Sequence, residues 1–473
     1  MQRTYIQDLS KHKNEEVIIK GWVDVRRDQG KMVFLDIRDN TGKVQCVVLT
    51  NHIEALEVAS TLRTEWVIEI EGKVNARPTK NIKEDVVNGD IELEVLEIKV
   101  LNEAFTPAFD LSTTGYEVNE EVRMKYKYLD LRRERLQANL KMRNKVMTHI
   151  RNQLQDNNFL EIETPLLTNP TPEGSRSYLV PSRLWQGKYY ALPQSPQQYK
   201  QLLMASAVDK YYQFAKCMRD EDTRGDRQPE FTQLDMEMSF VTQEDVMKIN
   251  EDLLIKLVKD LYPEKKIQQI PFPVMKYTEA IEKYGNDRPD IREDKNDPNL
   301  LAFLWVIDFP FFEKTNKNDN VDETGEWTFT HNPFSRPTDV SIDDFRNKEN
   351  IGNIITTQYD ITLNGLEIGG GSIRNHKPED LKRTFEIMGY NEDKIENNFG
   401  HMLHALGSGC PPHGGIAWGF DRLMMILQNE PNIREVMAFP KTGEGKDLLM
   451  DAPSLPNSKT LKELGIFYKK DEK

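Results

Sequence analysis

A chain of 473 residues with 38% hydrophobic content is long enough to bury two or three cores, since domains usually run about 100 to 200 residues. No apolar run approaches the roughly 20 residues of a membrane span, and the start MQRTYIQDLSKHKNEE lacks the apolar core of a signal peptide. Cys46, Cys217 and Cys410 lie too far apart for a disulfide framework, so a soluble protein of the reducing cytoplasm is expected, and a formal net charge of -14 argues against indiscriminate nucleic-acid binding.

Residues 1–105 carry alternating runs at 17–25, 33–38, 44–49, 66–74 and 91–101, with a helical pattern at 52–62. Five strands with one helix between the third and fourth is the order of a small Greek-key OB barrel, whose open face commonly binds single-stranded nucleic acid. The region holds 15 Lys and Arg against 19 Asp and Glu, so recognition there would rest on stacking and base contacts more than on bulk charge. Phe34 is the natural stacking platform, Arg27 and Gln45 sit on or beside neighbouring strands, and Glu92 on the last strand offers a base-edge acceptor.

Residues 104–118, with Pro107 and Thr113-Thr114-Gly115, read as a linker. The amphipathic stretch 135–157 has Leu136, Leu140, Met147, Ile150 and Leu154 at helical spacing and leads into a strand, 160–164, ended by Pro165. Periodicity does not say whether this helix is core or a seam between two copies. ALPQSPQQYK (191–200) brings Ser195, Gln197 and Lys200 to a strand-to-helix junction; hydroxyl, amide and amine suit an amino-acid pocket, although alone the segment reads as a helix cap with a surface lysine.

The run FAKCMRDEDTRGDRQPEFTQLDMEMSF (214–240) reads as two strands joined by a charged loop. Phe231, Gln233, Asp235 and Glu237 share one face, and Thr232, Leu234, Met236 and Met238 the other. Arg219, Arg224 and Arg227 supply cations suited to phosphates. Residues 284–301 and 316–326 are polar loops, and the tail after Tyr468 is expected to fray. DITLNGLEIGGGSIR (360–374) contains Asn364-Gly365, a strong hairpin signal. Thr362 then faces Glu367, and Asp360 lies diagonally from it, so two carboxylates converge as Mg2+ would require. In GGIAWGFDRLMMIL (414–427) a strand turns at Gly419 into a helix with Arg422 in its first turn, where a cation opposes the helix dipole and calls for a polyphosphate or an Asp421 ion pair. His401, His404, Cys410 and His413 have a spacing that passes for zinc ligands, but no second cysteine pair accompanies them.

Together these stretches resemble the signature motifs of the class II aminoacyl-tRNA synthetases: 159–165 with its helix resembles motif 1, 219–235 motif 2 and 415–422 motif 3. TPEGSRSYLVPSR, LPQSPQQYKQLLM, RDEDTRGDRQPEFTQLD and GLEIGGGSIR resemble the bacterial-type aspartyl branch in particular. The resemblance implies an α+β protein, with an OB-fold anticodon-binding domain at 1–105, a hinge at 106–125 and a catalytic domain at 126–473 built on an antiparallel sheet flanked by helices. It also implies a homodimer joined through motif 1 and no membrane partner.

The implied activity is aspartate activation by ATP and transfer to the 3′ end of the aspartate tRNA, with the asparagine tRNA left open as a second acceptor. Arg219 would hold the α-phosphate and the aspartate carboxylate, Glu221 and Gln228 the nucleotide, Phe231 the adenine face and Arg422 the γ-phosphate, with Gly419, Phe420 and Asp421 also at the ATP. Arg219, Arg422 and Glu367 would carry catalysis, and Asp360 with Glu367 would hold Mg2+. Arg374 and Lys200 would grip the aspartate side chain, Asp235 and Gln197 its amino end, with Ser195 in the same pocket and Glu173 and His331 closing from loops. Arg27, Phe34, Gln45 and Glu92 would meet the anticodon.

Two departures stand out: 289–301 is far too short for the domain this branch usually inserts between motifs 2 and 3, and His331-Asn332 replaces its usual paired histidine. Two rival readings are an amide-forming, aspartate-activating enzyme, which needs no anticodon domain, and a non-catalytic RNA-binding paralogue, whose site should be eroded.

Overall fold

The computed structural model describes residues 2–84, 86–171, 174–315 and 325–467. The chain divides into two compact units, Met1–Gln137 and Ala138–Lys473. In the first, strands β1 (Glu16–Asp28), β2 (Val33–Arg38), β3 (Lys43–Val48), β4 (Val67–Ala76) and β5 (Ile91–Asn102), with helix α1 (Ile53–Thr61) between β3 and β4, close a barrel in the order β1-β2-β3-β5-β4. Period-two alternation accounts for it: Val33, Leu35 and Ile37 point inward with Val44, Cys46 and Val48 and with Ile91, Leu93 and Val95, all buried. Closure leaves no unpaired edge.

After the barrel come α2 (Glu120–Lys125), capped by Asn119, whose side chain accepts from the Glu121 and Val122 amides, and α3 (Lys127–Asp130). Asp130, fully buried, receives Arg123 (3.0 Å), Lys127 (3.0 Å) and Arg133 (2.9 Å). The expected hinge, 106–125, and residues 126–137 of the expected catalytic domain therefore fall within this first unit.

Helix α4 (Glu134–Asp156) carries the chain onward. The second unit is built on eight strands: β6 (Leu160–Glu161), β7 (Lys210–Met218), β8 (Glu230–Ser239), β9 (Val274–Lys276), β10 (Phe303–Ile307), β11 (Gln358–Leu363), β12 (Leu366–Ile373) and β13 (His413–Gly419). Their order is β9-β10-β11-β12-β13-β8-β7-β6. The expected antiparallel sheet is mixed: β10 through β7 pair antiparallel, but β9 and β6 run parallel to their neighbours. Both are very short edge strands reached by long connections, which permit either direction. β6 stops well before 164, although the Ile162 amide still donates to Tyr212 O (3.1 Å).

Val146, Ile150 and Leu154 of α4 pack into the main core with Leu234, Met236, Met238, Trp305 and Trp418, so this helix face is core. Helices α5 (Gln197–Ala205), α6 (Gln243–Leu261), α7 (Pro378–Ile387), α8 (Glu392–Gly407) and α9 (Phe420–Leu427) are the further helices that bear on the site. Cys46, Cys217 and Cys410 are free and buried. Among the described residues no helix is long and apolar enough to cross a membrane.

Candidate active site

Strands β7 and β8 pair from Met238↔Lys210 to Glu230↔Met218. The alternation of β8 sends Leu234, Met236 and Met238 into the core and turns Phe231, Gln233 and Asp235 toward a cavity of about 370 Å³. Every expected catalytic-unit site residue among those described lines this cavity except Phe420. Phe420 is fully buried, edge-on to Phe214 at 5.1 Å, with the Arg143 guanidinium 4.7 Å from its ring: the first turn of an amphipathic helix puts one residue inward and its neighbours outward. Glu173 lies outside the described residues.

At one end of the cavity four charges are buried together. Lys200, no surface lysine at 2% exposure, donates to Asp235 Oδ1 (2.7 Å) and lies 3.3 Å from Glu237 Oε2. Arg374 places Nε and Nη2 on the two Glu237 oxygens (3.0 and 3.2 Å), shares Nη2 with Gly415 O (3.3 Å) and gives Nη1 to Ser372 Oγ (2.8 Å). One N–H on each cation is left for a ligand. Gly415 makes room for this pair, since a Cβ there would stand 2.1 Å from Glu237 Oε2.

The two carboxyls respond in opposite senses. Burial pushes Asp235 up, against the pull of Lys200, whereas burial of Glu237 is outweighed by Arg374 and Lys200, which hold it below the usual range. Asp235 Oδ2 has no hydrogen-bond partner, which leaves a buried acceptor in the lining of the cavity. Ser195 Oγ accepts from the Gln197 amide (3.3 Å), fixing the start of α5.

The β11–β12 hairpin turns at Asn364-Gly365, both left-handed (φ 52 and 84). Thr362 pairs with Glu367, but a bulge between Ile361 and Thr362 sets Asp360 opposite Gly370. A Cβ on Gly370 would stand 2.6 Å from Asp360 Oδ1, so a side chain there would displace that carboxylate. Burial and the Glu367 charge push Asp360 well above the carboxylate range, and Gln358 Nε2 donates to it (2.7 Å). Among the described residues no three His, Cys, Asp or Glu side chains converge. The pair therefore suits a cation that takes two carboxylates and finds its other ligands in phosphate oxygens and water, the habit of Mg2+. His331 stacks edge-on against Phe309 at 4.8 Å on the cavity rim.

At the other end the Arg219 guanidinium lies 5.2 Å from the Phe231 ring, with Nε on Gln194 O (3.4 Å). Arg422 is paired with Asp226 (3.1 Å), not Asp421, and also donates to Glu367 O; its Nε has no partner. Asp421 instead receives Arg143 (2.6 Å) and the Thr232 amide (2.7 Å), tying α4, β8 and α9 together. Gln228 Oε1 accepts from the Lys441 amide (2.7 Å), which leaves its buried Nε2 without a partner. Glu221 is held by Ser175 and by Arg227 at 3.4 Å. The polar groups left over thus differ: an acceptor together with an N–H on each cation at the buried quartet and, among buried side-chain atoms elsewhere in the described lining of the cavity, only the donors Gln228 Nε2 and Arg422 Nε.

The sequence family described as tRNA synthetases class II (D, K and N) matches residues 119–443, and that of the OB-fold nucleic acid binding domain matches 17–101. The chain belongs to the class II tRNA synthetases of the D, K and N group. The aspartate–tRNA ligase of Staphylococcus epidermidis (strain ATCC 12228 / FDA PCI 1200) is 37% identical over 579 aligned positions, covering 96% of this chain and 97% of its own. The aspartate–tRNA(Asp/Asn) ligase of Thermoanaerobacter sp. (strain X514) is 38% identical, with 98% and 96% covered. An alignment of 579 positions against 473 residues leaves more than a hundred positions with no residue here. In fold, the chain is similar to the asparaginyl-tRNA synthetase of Pyrococcus horikoshii complexed with asparaginyl-adenylate, with a TM-score of 0.74 and 21% identity over 93% of this chain and 98% of that one. It is also similar to the aspartyl tRNA synthetase of Entamoeba histolytica, with a TM-score of 0.70 and 22% identity over 93% and 91%.

In this class II chain the barrel residues share an outer face. Arg27 pairs in register with Phe34, Asp36 with Gln45, and Asn75 with Glu92. Arg27 is exposed and bridges to Asp36 (2.9 Å), while His52 and Asn75 hold Glu94 (3.1 and 3.0 Å) on the same side. Sequence reasoning named neither Asp36, His52 nor Glu94. It named Glu237 only as part of a polar face and missed Asp226, Arg143, Gln194 and Gln358. The one available signal was for Glu237, the next alternate residue after Asp235.

Proposed function

We propose that this chain is an aspartate–tRNA ligase. The observation that carries the reading is the buried quartet with its leftover groups: one N–H each on Lys200 and Arg374 for a side-chain carboxylate, and Asp235 Oδ2 for an ammonium. An asparagine amide would bring its own N–H groups against two cations in a desolvated site, so aspartate is preferred. The names of the relatives, ligases for aspartate and in some cases for both the Asp and Asn tRNAs, support the same substrate.

In the first step a carboxylate oxygen of aspartate attacks the α-phosphorus of ATP, and the bond to the bridging oxygen breaks to release pyrophosphate. Arg219 holds the α-phosphate and the reacting carboxylate, Phe231 stacks on adenine, Gln228 and Glu221 hold the nucleotide, and Arg422 meets the γ-phosphate. Asp360 and Glu367 would hold Mg2+, which supplies charge neutralisation at the phosphates when bound. Little covalent help is asked of the protein; orientation and preorganised charge do most of the catalysis. In the second step the 3′-terminal ribose hydroxyl of tRNA attacks the aspartyl carbonyl and AMP departs. Arg27, Phe34, Gln45 and Glu92 on the barrel face the anticodon, and His331 closes on the amino acid from the cavity rim.

A cytoplasmic homodimer is the natural form. Leu160, Leu166 and Leu167, on and just after the edge strand β6, are 47–57% exposed, which suits contact with a second copy. The test is ATP–pyrophosphate exchange with aspartate and with asparagine, followed by charging of purified tRNA(Asp) and tRNA(Asn). Exchange that depends on aspartate and Mg2+ is expected; exchange driven equally by asparagine would overturn the substrate assignment. Equal aspartylation of both tRNAs would make the enzyme non-discriminating.

A further inference from the structure

We propose that His413, which lies outside the cavity lining, sets the polarity of the Gln197 amide through Gln201 and thereby makes Gln197 a hydrogen-bond acceptor for the substrate ammonium. This rests on the reading of the cavity as an aspartate site. His413 opens β13 and is fully buried; its Nδ1 lies 2.8 Å from Pro411 O. A carbonyl only accepts, so Nδ1 carries the hydrogen, and a neutral ring must then accept at Nε2. The group 3.1 Å from Nε2 is the Gln201 amide, also fully buried, which is obliged to point its NH2 at the histidine. Its oxygen is thereby turned to Gln197 Nε2, 3.1 Å away and one helical turn earlier on α5. Gln197 lines the cavity with its oxygen left over.

Two acceptors, Gln197 Oε1 and Asp235 Oδ2, therefore line the same cavity, as an ammonium requires and a carboxylate would not tolerate. The groups around the imidazole are Glu237, Arg374, His376 and Cys410, whose Sγ is 3.6 Å from Nδ1. Burial is the main cause holding the ring below the ordinary histidine range, hence neutral. A charged ring would donate at both nitrogens, and Gln201 and then Gln197 would have to turn over, presenting NH2 to the ammonium. His413 is thus a positioning residue whose effect is confined to one functional group of the substrate.

The experiment measures exchange kinetics in Gln201→Met, His413→Leu and His413→Gln, with succinate as a competitive probe that has both carboxylates but no ammonium. Gln201→Met and His413→Leu should raise the KM for aspartate about tenfold or more, with the KM for ATP and inhibition by succinate changed less than about twofold. His413→Gln, which keeps an acceptor at the end of the side chain, should stay within about threefold of the parent. An unchanged aspartate KM, a parallel weakening of succinate, or a His413→Gln variant as impaired as His413→Leu would overturn the relay. Should His413→Leu not fold, Gln201→Met, of nearly unchanged volume, decides on the same criteria. A parent enzyme without aspartate-dependent exchange would overturn the substrate reading itself, and the relay with it.

Discussion

The barrel and the catalytic cavity both present charged residues to a ligand, but they keep those charges in opposite states. On the barrel, Arg27 and Asp36 pair with side chains 45% and 25% exposed, water screens them, and such a pair contributes about 0–1 kcal/mol. In the cavity, Lys200, Asp235, Glu237 and Arg374 are at most 2% exposed, and removing one partner of a buried pair costs about 3–5 kcal/mol because a charge is stranded. The charge pairs of the barrel tolerate change singly; the buried quartet of the cavity is organised as a unit that fails as a whole.

The sharpest way to break this contrast is Arg374→Ala, which removes the bidentate partner of Glu237 and leaves that carboxylate only Lys200 at 3.3 Å. Aspartate-dependent ATP–pyrophosphate exchange should fall by about a thousandfold, equivalent to about 4 kcal/mol; near-normal exchange would remove Arg374 from the site. Glu237→Gln should cost about 3 kcal/mol of stability at neutral pH, measured by denaturant unfolding. The carboxyl of Glu237 is held below its unfolded value by Arg374 and Lys200, so its stabilisation is present above the ordinary Glu range and is lost as pH falls through the lower folded value. The gap between parent and variant should therefore close in acid, and a gap that stayed constant would contradict the ion-pair account.

On the barrel, Phe34→Ala should raise the KM for tRNA about tenfold in charging assays, as expected for one lost stacking contact, and leave amino-acid activation untouched. A drop in pyrophosphate exchange would mean the two units are not functionally separable. The smallest effect belongs to Asp36→Asn, which frees exposed Arg27 and should shift stability by less than about 0.5 kcal/mol. A larger shift in the melting curve would place the barrel pair in the same class as the buried quartet.

Much of the site could be read from local pattern because each motif is a short periodic element. The alternation of β8 assigns Phe231, Gln233 and Asp235 to one face, and Asn364-Gly365 fixes a hairpin that brings Asp360 near Glu367. What escaped was every partnership across long sequence separation. Glu237 meets Arg374 across 137 residues, Asp226 meets Arg422 across 196 and Asp421 meets Arg143 across 278. The inward turn of Phe420 escaped likewise, because Phe214 and Arg143, which pack against its ring, come from distant parts of the chain.

The sequence by itself determined the elements, their faces and the family, since strand and helix periods, turn residues and motif strings are local properties of the chain. Only the tertiary structure decided which charges pair, which polar atoms stay unpartnered and which way an amide points. Those depend on burial and on groups brought together from distant strands, where the low dielectric turns a few ångströms into the difference between a surface charge and a binding site.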